Sequence, residues 1–191
     1  YGPWDVDGKT ITEKKRFTIE LGKRLFKVNE QFYVDGEKNK VEVAIGLSTH
    51  NGNGEVKVDL KSGFISCWEN FGQHKMLGTA ILTDSKSIKE SIITQSLKKD
   101  DSHAMLIVNS SDSGALTYYS GYGWSKAKEI TSADTWLDYL KDLNTELIIT
   151  VSNKKENTME LRYTTVNVRY STMKTAELRD SYLINTLFTE G

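Results

Sequence analysis

The sequence predicts a mainly β protein, an antiparallel β-sandwich with one short helix near residues 132–142. Three observations lead there. Apolar and polar side chains alternate with a period of two along most of the chain. Asp-Gly pairs at Asp7-Gly8 and Asp35-Gly36 have the chemistry of tight hairpin turns. Only residues 132–140 carry a capped, amphipathic helical pattern. With 191 residues, a lone Pro3 and no repeat or linker-like run, a single domain is expected, one that could be part of a larger one.

Composition removes several function classes. The 25 Lys+Arg nearly cancel the 26 Asp+Glu, so no global field draws in a nucleic acid or an anionic membrane, and a polyanionic ligand would need a local site. No apolar run approaches the ~18 residues of a membrane span. The single cysteine, Cys67, excludes an internal disulfide and a cysteine-based zinc site. Its FISCWE setting points to a small buried side chain rather than a nucleophile. His50, His74 and His103 lie far apart without metal-ligand spacing, and neither a metal nor a cofactor is expected.

In chain order, residues 1–60 read as a β-meander. Asp7-Gly8 leads into strand segments at 9–12 and 16–21, where Phe17, Ile19 and Leu21 share one face and Arg16, Thr18 and Glu20 the other. A strand over 25–34 ends at Asp35-Gly36, and residues 41–47 become continuously apolar, as a strand buried on both faces does. The turn at 49–56 holds His50 at a strand end, where loops on a rigid scaffold place catalytic groups. A solvated turn histidine is the plain alternative. Gly52-Asn53-Gly54 is followed by no helix pattern and no Lys-Ser/Thr, so it is no phosphate loop.

In residues 63–84, Trp68 and Glu69 leave one strand on opposite faces. A carboxylate beside a large ring can be tuned as a general acid, and equally it can be a surface glutamate. His74 and Lys75 sit in the loop before a strand at 77–83. Residues 85–99 read as an irregular excursion or one strand flanked by lysines, and His103 opens a strand in a structural role. Residues 117–140 then combine Tyr118, Tyr119, Tyr122 and Trp124 with Gly121 and Gly123. These rings cannot all face one core, because successive strand residues point to opposite faces. Some must be displayed, and displayed rings beside glycines make a surface on which sugars stack. An edge strand of aromatic β-formers explains the same residues. Ser132 is the expected N-cap of the helix, with Trp136, Leu137 and Leu140 on one face and Trp136 packed on the sheet. Strands at 146–152, 159–170 and 178–189 are expected to close the chain. Trp68 and Trp124 are both expected to be solvent-accessible within a concave sheet face.

The segments GPWDVDGKTITEKKRFTIELG, VAIGLSTH, GFISCWE, LGTAILTD and above all TYYSGYGWSKAKEITSADTWLDYL resemble the bacterial domain-of-unknown-function family associated with polysaccharide-utilisation loci. That family in turn resembles the galactose-mutarotase-like β-supersandwich proteins. The match covers about residues 1–150, and its most specific part is the tyrosine pair followed by a tryptophan and a capped helix, at Tyr118, Tyr119, Trp124 and Trp136. Because family members carry a part preceding Tyr1 and end near residue 153, the resemblance implies a truncated or rearranged order. It further implies a carbohydrate partner, a periplasmic or secreted setting, and a lyase or hydrolase. A non-catalytic glycan-binding module is the alternative. Elimination from a uronate needs a cation and a His or Tyr base, roles open to His50, Tyr119 and Lys75 or Lys126. Hydrolysis needs a second carboxylate to partner Glu69. Trp68, His74, Lys75, Tyr118, Tyr122, Trp124 and Lys126 are the candidate substrate-binding residues, and His50, Glu69 and Tyr119 the candidate catalytic ones.

Overall fold

A computed structural model describes residues 3–154 except 51, 73, 74 and 99, with side chains described through residue 144. The chain divides into two compact units, Tyr1–Val151 and Ser152–Gly191, and both sheets belong to the first. The strands expected at 159–170 and 178–189 lie outside the described residues.

The architecture is mainly β, with two antiparallel sheets and, among the described residues, one C-terminal α-helix. The larger sheet is built from β1 (Trp4–Val6), β2 (Lys9–Thr18), β3 (Leu25–Val34), β4 (Glu37–Lys38), β6 (Glu55–Asp59), β7 (Phe64–Asn70), β8 (Met76–Thr83) and β11 (Ala115–Trp124). Its strand order is β1-β2-β3-β11-β8-β7-β6, with β4 paired to β3. The smaller sheet has the order β5-β10-β9, from β5 (Glu42–Ser48), β10 (His103–Asn109) and β9 (Ile88–Thr94). Residues 85–99 thus resolve into a 3-10 turn at Ser85–Ser87 followed by β9.

Local chemistry sets the turns. Asp7 and Gly8 both have positive φ (50° and 77°), as do Asp35 and Gly36 (51° and 86°). Two consecutive left-handed residues are what a type I′ hairpin requires, and Asp-Gly supplies them at low cost. The two segments expected at 9–12 and 16–21 are one ten-residue strand that ends at Thr18.

Alternation gives the larger sheet two different faces. One packs on the smaller sheet through Val28, Phe32, Ile65, Cys67, Ile81 and Tyr118 against Ile45, Leu47, Leu106 and Val108. The other receives the helix α1 (Ala133–Lys154), through Leu25, Phe64, Trp68, Ala80 and Leu82 against Trp136, Leu140 and Leu143. The buried helix positions fall at i, i+4 and i+7, a single apolar stripe. Ser132 caps the helix, its Oγ accepting from the Thr135 amide at 3.2 Å. Trp136 is fully buried on the sheet as expected, its indole N–H donating to the Thr79 carbonyl at 3.3 Å. The ring lies over Gly78 and Gly123, where an added Cβ would stand 2.7 Å and 2.8 Å from it.

The helix is longer than its expected span, and residues 146–152, expected as a strand, are helical. ELIITVS has strand propensity, but a helix nucleated and held by Trp136, Leu140 and Leu143 propagates at small further cost per residue. Tertiary packing overrides local preference there.

Candidate active site at the edge of the inter-sheet face

The site begins with the alternation of β7. Trp68 points to the helix side and is only 9% exposed, packed in the cluster around Trp136. The expected accessibility of Trp68 is therefore corrected: its side of β7 is the one that α1 covers. Glu69 leaves on the other face, buried, and meets the loop that follows β5.

That loop carries His50 with φ 47°, a left-handed conformation uncommon for a residue with a Cβ. The turn is fixed at both ends, with the His50 amide donating to Ser48 Oγ at 3.3 Å and its carbonyl accepting from the Asp100 amide at 3.1 Å. The imidazole is directed onto Glu69, Nδ1 to Oε1 at 2.6 Å. A carboxylate can only accept here, so Nδ1 carries the proton, and in the neutral form of the ring Nε2 holds the lone pair. Phe71 packs edge-on against the imidazole, with ring centroids 5.7 Å apart.

Strand register brings the aromatic segment to the same face. Trp124 pairs with Leu77 and Leu77 with Glu69, while in the next row Tyr122 pairs with Thr79 and Thr79 with Cys67. Tyr122 (50% exposed) and Trp124 (40% exposed) are therefore displayed on the side of the sheet that holds Glu69. Two interstrand spacings, about 10 Å, separate the Trp124 and Glu69 backbones. Gly121 and Gly123 alternate to the other side, where an added Cβ at Gly121 would strike the Arg24–Leu25 backbone and one at Gly123 the Trp136 ring, so they serve close packing rather than ligand approach. Lys126, in the 3-10 turn after β11, holds its ammonium 5.8 Å from the Trp124 ring centroid.

Beneath these groups, burial foremost and then the Glu69 charge push the Cys67 thiol up to about 12. Cys67 is thus a neutral core residue. The buried Thr79 Oγ1, lying in register between Cys67 and Tyr122, has no hydrogen-bond partner among the described residues. Neither Thr79 nor Phe71 was expected from the sequence. The available signal for Thr79 was a hydroxyl in the middle of the apolar strand LGTAILT, at the position paired with Tyr122.

Other expected site residues fall elsewhere. Tyr119 is three residues from Tyr122 and so lies on the opposite face, near Lys27 Nζ, which is 6.0 Å from its ring centroid. Burial first, then the Glu20 carboxylate, raise its phenol. It does not join His50 and Glu69. Tyr118 shares their face but is buried in the core between the sheets, its hydroxyl donating to Glu30 Oε1 at 3.1 Å. Lys75 lies in the β7–β8 turn, its carbonyl accepting from the Phe71 amide at 2.7 Å. His74 lies outside the described residues.

A second polar cluster occupies the β2–β3 side of this face. Lys15 bridges Glu13 at 3.2 Å and Glu30 at 3.0 Å. Burial raises the Glu30 carboxyl despite Lys15 beside it. Burial works against the Lys15 ammonium, yet Glu30 and then Glu13 outweigh it and raise its pKa. Among the described residues no group of three or more His, Cys, Asp or Glu is arranged to hold a metal ion. No described helix is long and apolar enough to cross a membrane.

These features define a two-sheet β domain with a carboxylate–imidazole pair and two displayed aromatic rings on one face of its larger sheet. The chain belongs to the domain-of-unknown-function family DUF4861, whose model matches residues 1–152. It is similar to Uncharacterized protein P7 of Formosa agariphila, with 28% identity over 157 residues. That alignment covers 79% of this chain but 38% of P7, so the chain spans well under half of that relative's length. No solved structure matches the chain.

Proposed function

We propose that this domain processes a glycan, binding it on Tyr122 and Trp124 and using His50, held by Glu69, as a general base. One observation supports the reading: the register row Trp124–Leu77–Glu69 sets a displayed indole and an oriented imidazole on the same side of one sheet. Sugar C–H faces stack on such rings, and a histidine with its Nδ1 proton tied to a carboxylate accepts a proton at Nε2.

Elimination from a uronate fits these groups better than hydrolysis. Hydrolysis uses two carboxylates flanking the scissile bond, whereas Glu69 is committed to His50. In elimination the base removes the C5 proton and the C5–H electron pair becomes the C4=C5 double bond. The C4–O bond breaks, and the leaving oxygen keeps its pair and takes up a proton from solvent, while the proton held by the base is later released to solvent. The uronate carboxylate needs a cation as charge develops, a role suited to Lys126 beside Trp124 or to Lys75 near Phe71. A glycan partner suits a periplasmic or secreted setting.

The test is titration and turnover with a panel of uronate-containing and neutral oligosaccharides. Trp124→Ala should weaken binding roughly tenfold, the equivalent of ~1.4 kcal/mol. His50→Ala should leave binding nearly unchanged and lower turnover by a factor of about a hundred or more. Binding that survives Trp124→Ala for every glycan would refute the site, and binding without turnover in the parent would make the domain a glycan-binding module.

A further inference from the structure

Resting on that reading, we infer that the site takes an oligosaccharide of several sugars, laid diagonally across the larger sheet from Glu69 to Phe17. The rings beyond Trp124 carry this. Phe26 on β3 pairs with Ser120 and packs on the core of the same face as Tyr122, and Phe17 on β2 pairs with Val28 on that face too. The two rings contact each other with centroids 6.1 Å apart, and Phe17 remains 37% exposed.

Register orders these side chains as a track. Phe17, Phe26 and Tyr122 stand on the successive strands β2, β3 and β11, each one face-row further along, and Glu69 follows on β7 in the row of Trp124. From β2 to β7 the track crosses four interstrand spacings, about 19 Å, and shifts three face-rows, about 20 Å along the strands, or about 28 Å in all. A glycan chain advances by close to one interstrand spacing per sugar, so the track accommodates about five or six sugars. A single sugar at the His50–Glu69 pair would reach Trp124 and leave Phe17 unused. An exposed phenylalanine continuous with the proposed stacking surface is the feature a longer ligand explains.

The experiment measures affinity for size-fractionated di- to hexasaccharides of polygalacturonate, alginate and xylan, using the 191-residue chain. For whichever series binds, affinity should rise about tenfold between tetrasaccharide and hexasaccharide, one stacked ring's worth. Phe17→Ala should abolish that increment while leaving disaccharide affinity unchanged, and Phe17→Tyr should retain it. Unchanged disaccharide binding also shows that the Phe17→Ala chain is folded. Equal affinity for short and long members, or an increment that persists in Phe17→Ala, would overturn the inference while leaving the Trp124 site intact. Absence of binding at every length would overturn both.

Discussion

Removing the Trp136 side chain tests the layer that backs the sheet behind the candidate site. The indole is fully buried, donates to the Thr79 carbonyl and lies across Gly78 and Gly123. Truncating a buried Trp to Ala costs about 3–5 kcal/mol, including the cavity left behind. For a chain of 150–250 residues each kcal/mol moves Tm by about 2–4 °C, so Trp136→Ala should lower Tm by roughly 6–20 °C. Trp4→Ala, at an exposed ring, should change it by no more than about 2 °C. Calorimetry or far-UV circular dichroism reads the difference without relying on tryptophan emission. The glycines supply a sharper arm. Gly78→Ala places a Cβ 2.7 Å from the indole and should cost about 1–3 kcal/mol through overpacking. In the Trp136→Ala background the same change should be nearly neutral, because the atom it strikes is gone, giving a coupling energy of about 1 kcal/mol or more. Additive effects of the two substitutions would show that Gly78 is not selected by the indole, and a Trp136→Ala shift below about 2 °C would refute the helix packing itself.

Three further outcomes are expected. Glu69→Gln keeps the shape of the side chain but lets the amide bind either tautomer of His50, so turnover should fall by about 10²–10⁴, and ¹⁵N spectra of the ring should lose the fixed Nδ1–H form; an unchanged spectrum would detach Glu69 from the base. With its thiol pushed up to about 12, Cys67 should resist alkylation at pH 8 in the native protein and react fully in guanidinium, and rapid native labelling would contradict its burial. The Lys15 pKa is raised above 10.5 in the fold, so its stabilisation is fully present below that value and is lost as pH rises through the folded pKa. Tm should accordingly fall more steeply above about pH 10.5 in the parent than in Lys15→Met, and parallel curves would remove Lys15 from the alkaline transition.

The period-two pattern carried most of the fold because each face of the larger sheet is buried against something different, which fixes register strongly. The strand expected at 25–34 and the one opening at His103 have the bounds observed for β3 and β10. The C-terminal part was less legible. The run ELIITVS looks like a strand by composition, yet it continues the helix whose Leu140 and Leu143 pack under the sheet. Local sequence holds no record of that contact. Within the site, alternation alone separates Trp68 from Glu69 and Tyr119 from Tyr122, yet it does not say which face a helix will cover. That missing fact is why Trp68 was expected to be accessible and is buried. The meeting of His50 with Glu69 depends on how the smaller sheet sits over the larger, a pairing that no spacing of 19 residues could announce.

β11 joins two tasks in one ten-residue strand, and it does so without mixing them. Its odd-numbered glycines, Gly121 and Gly123, lie against neighbouring structure, whereas Tyr122 and Trp124 project the other way. Substitutions at 122 and 124 are thereby insulated from the scaffold, so these two positions can change across descendants of this chain at little cost in foldedness. A single inserted or deleted residue has the opposite character. It would exchange the two sets, driving an indole into the space reserved for bare backbone and turning the glycines outward. Variation in this strand should therefore accumulate by replacement and never by change of length, and a library made for altered recognition would be best confined to those two codons.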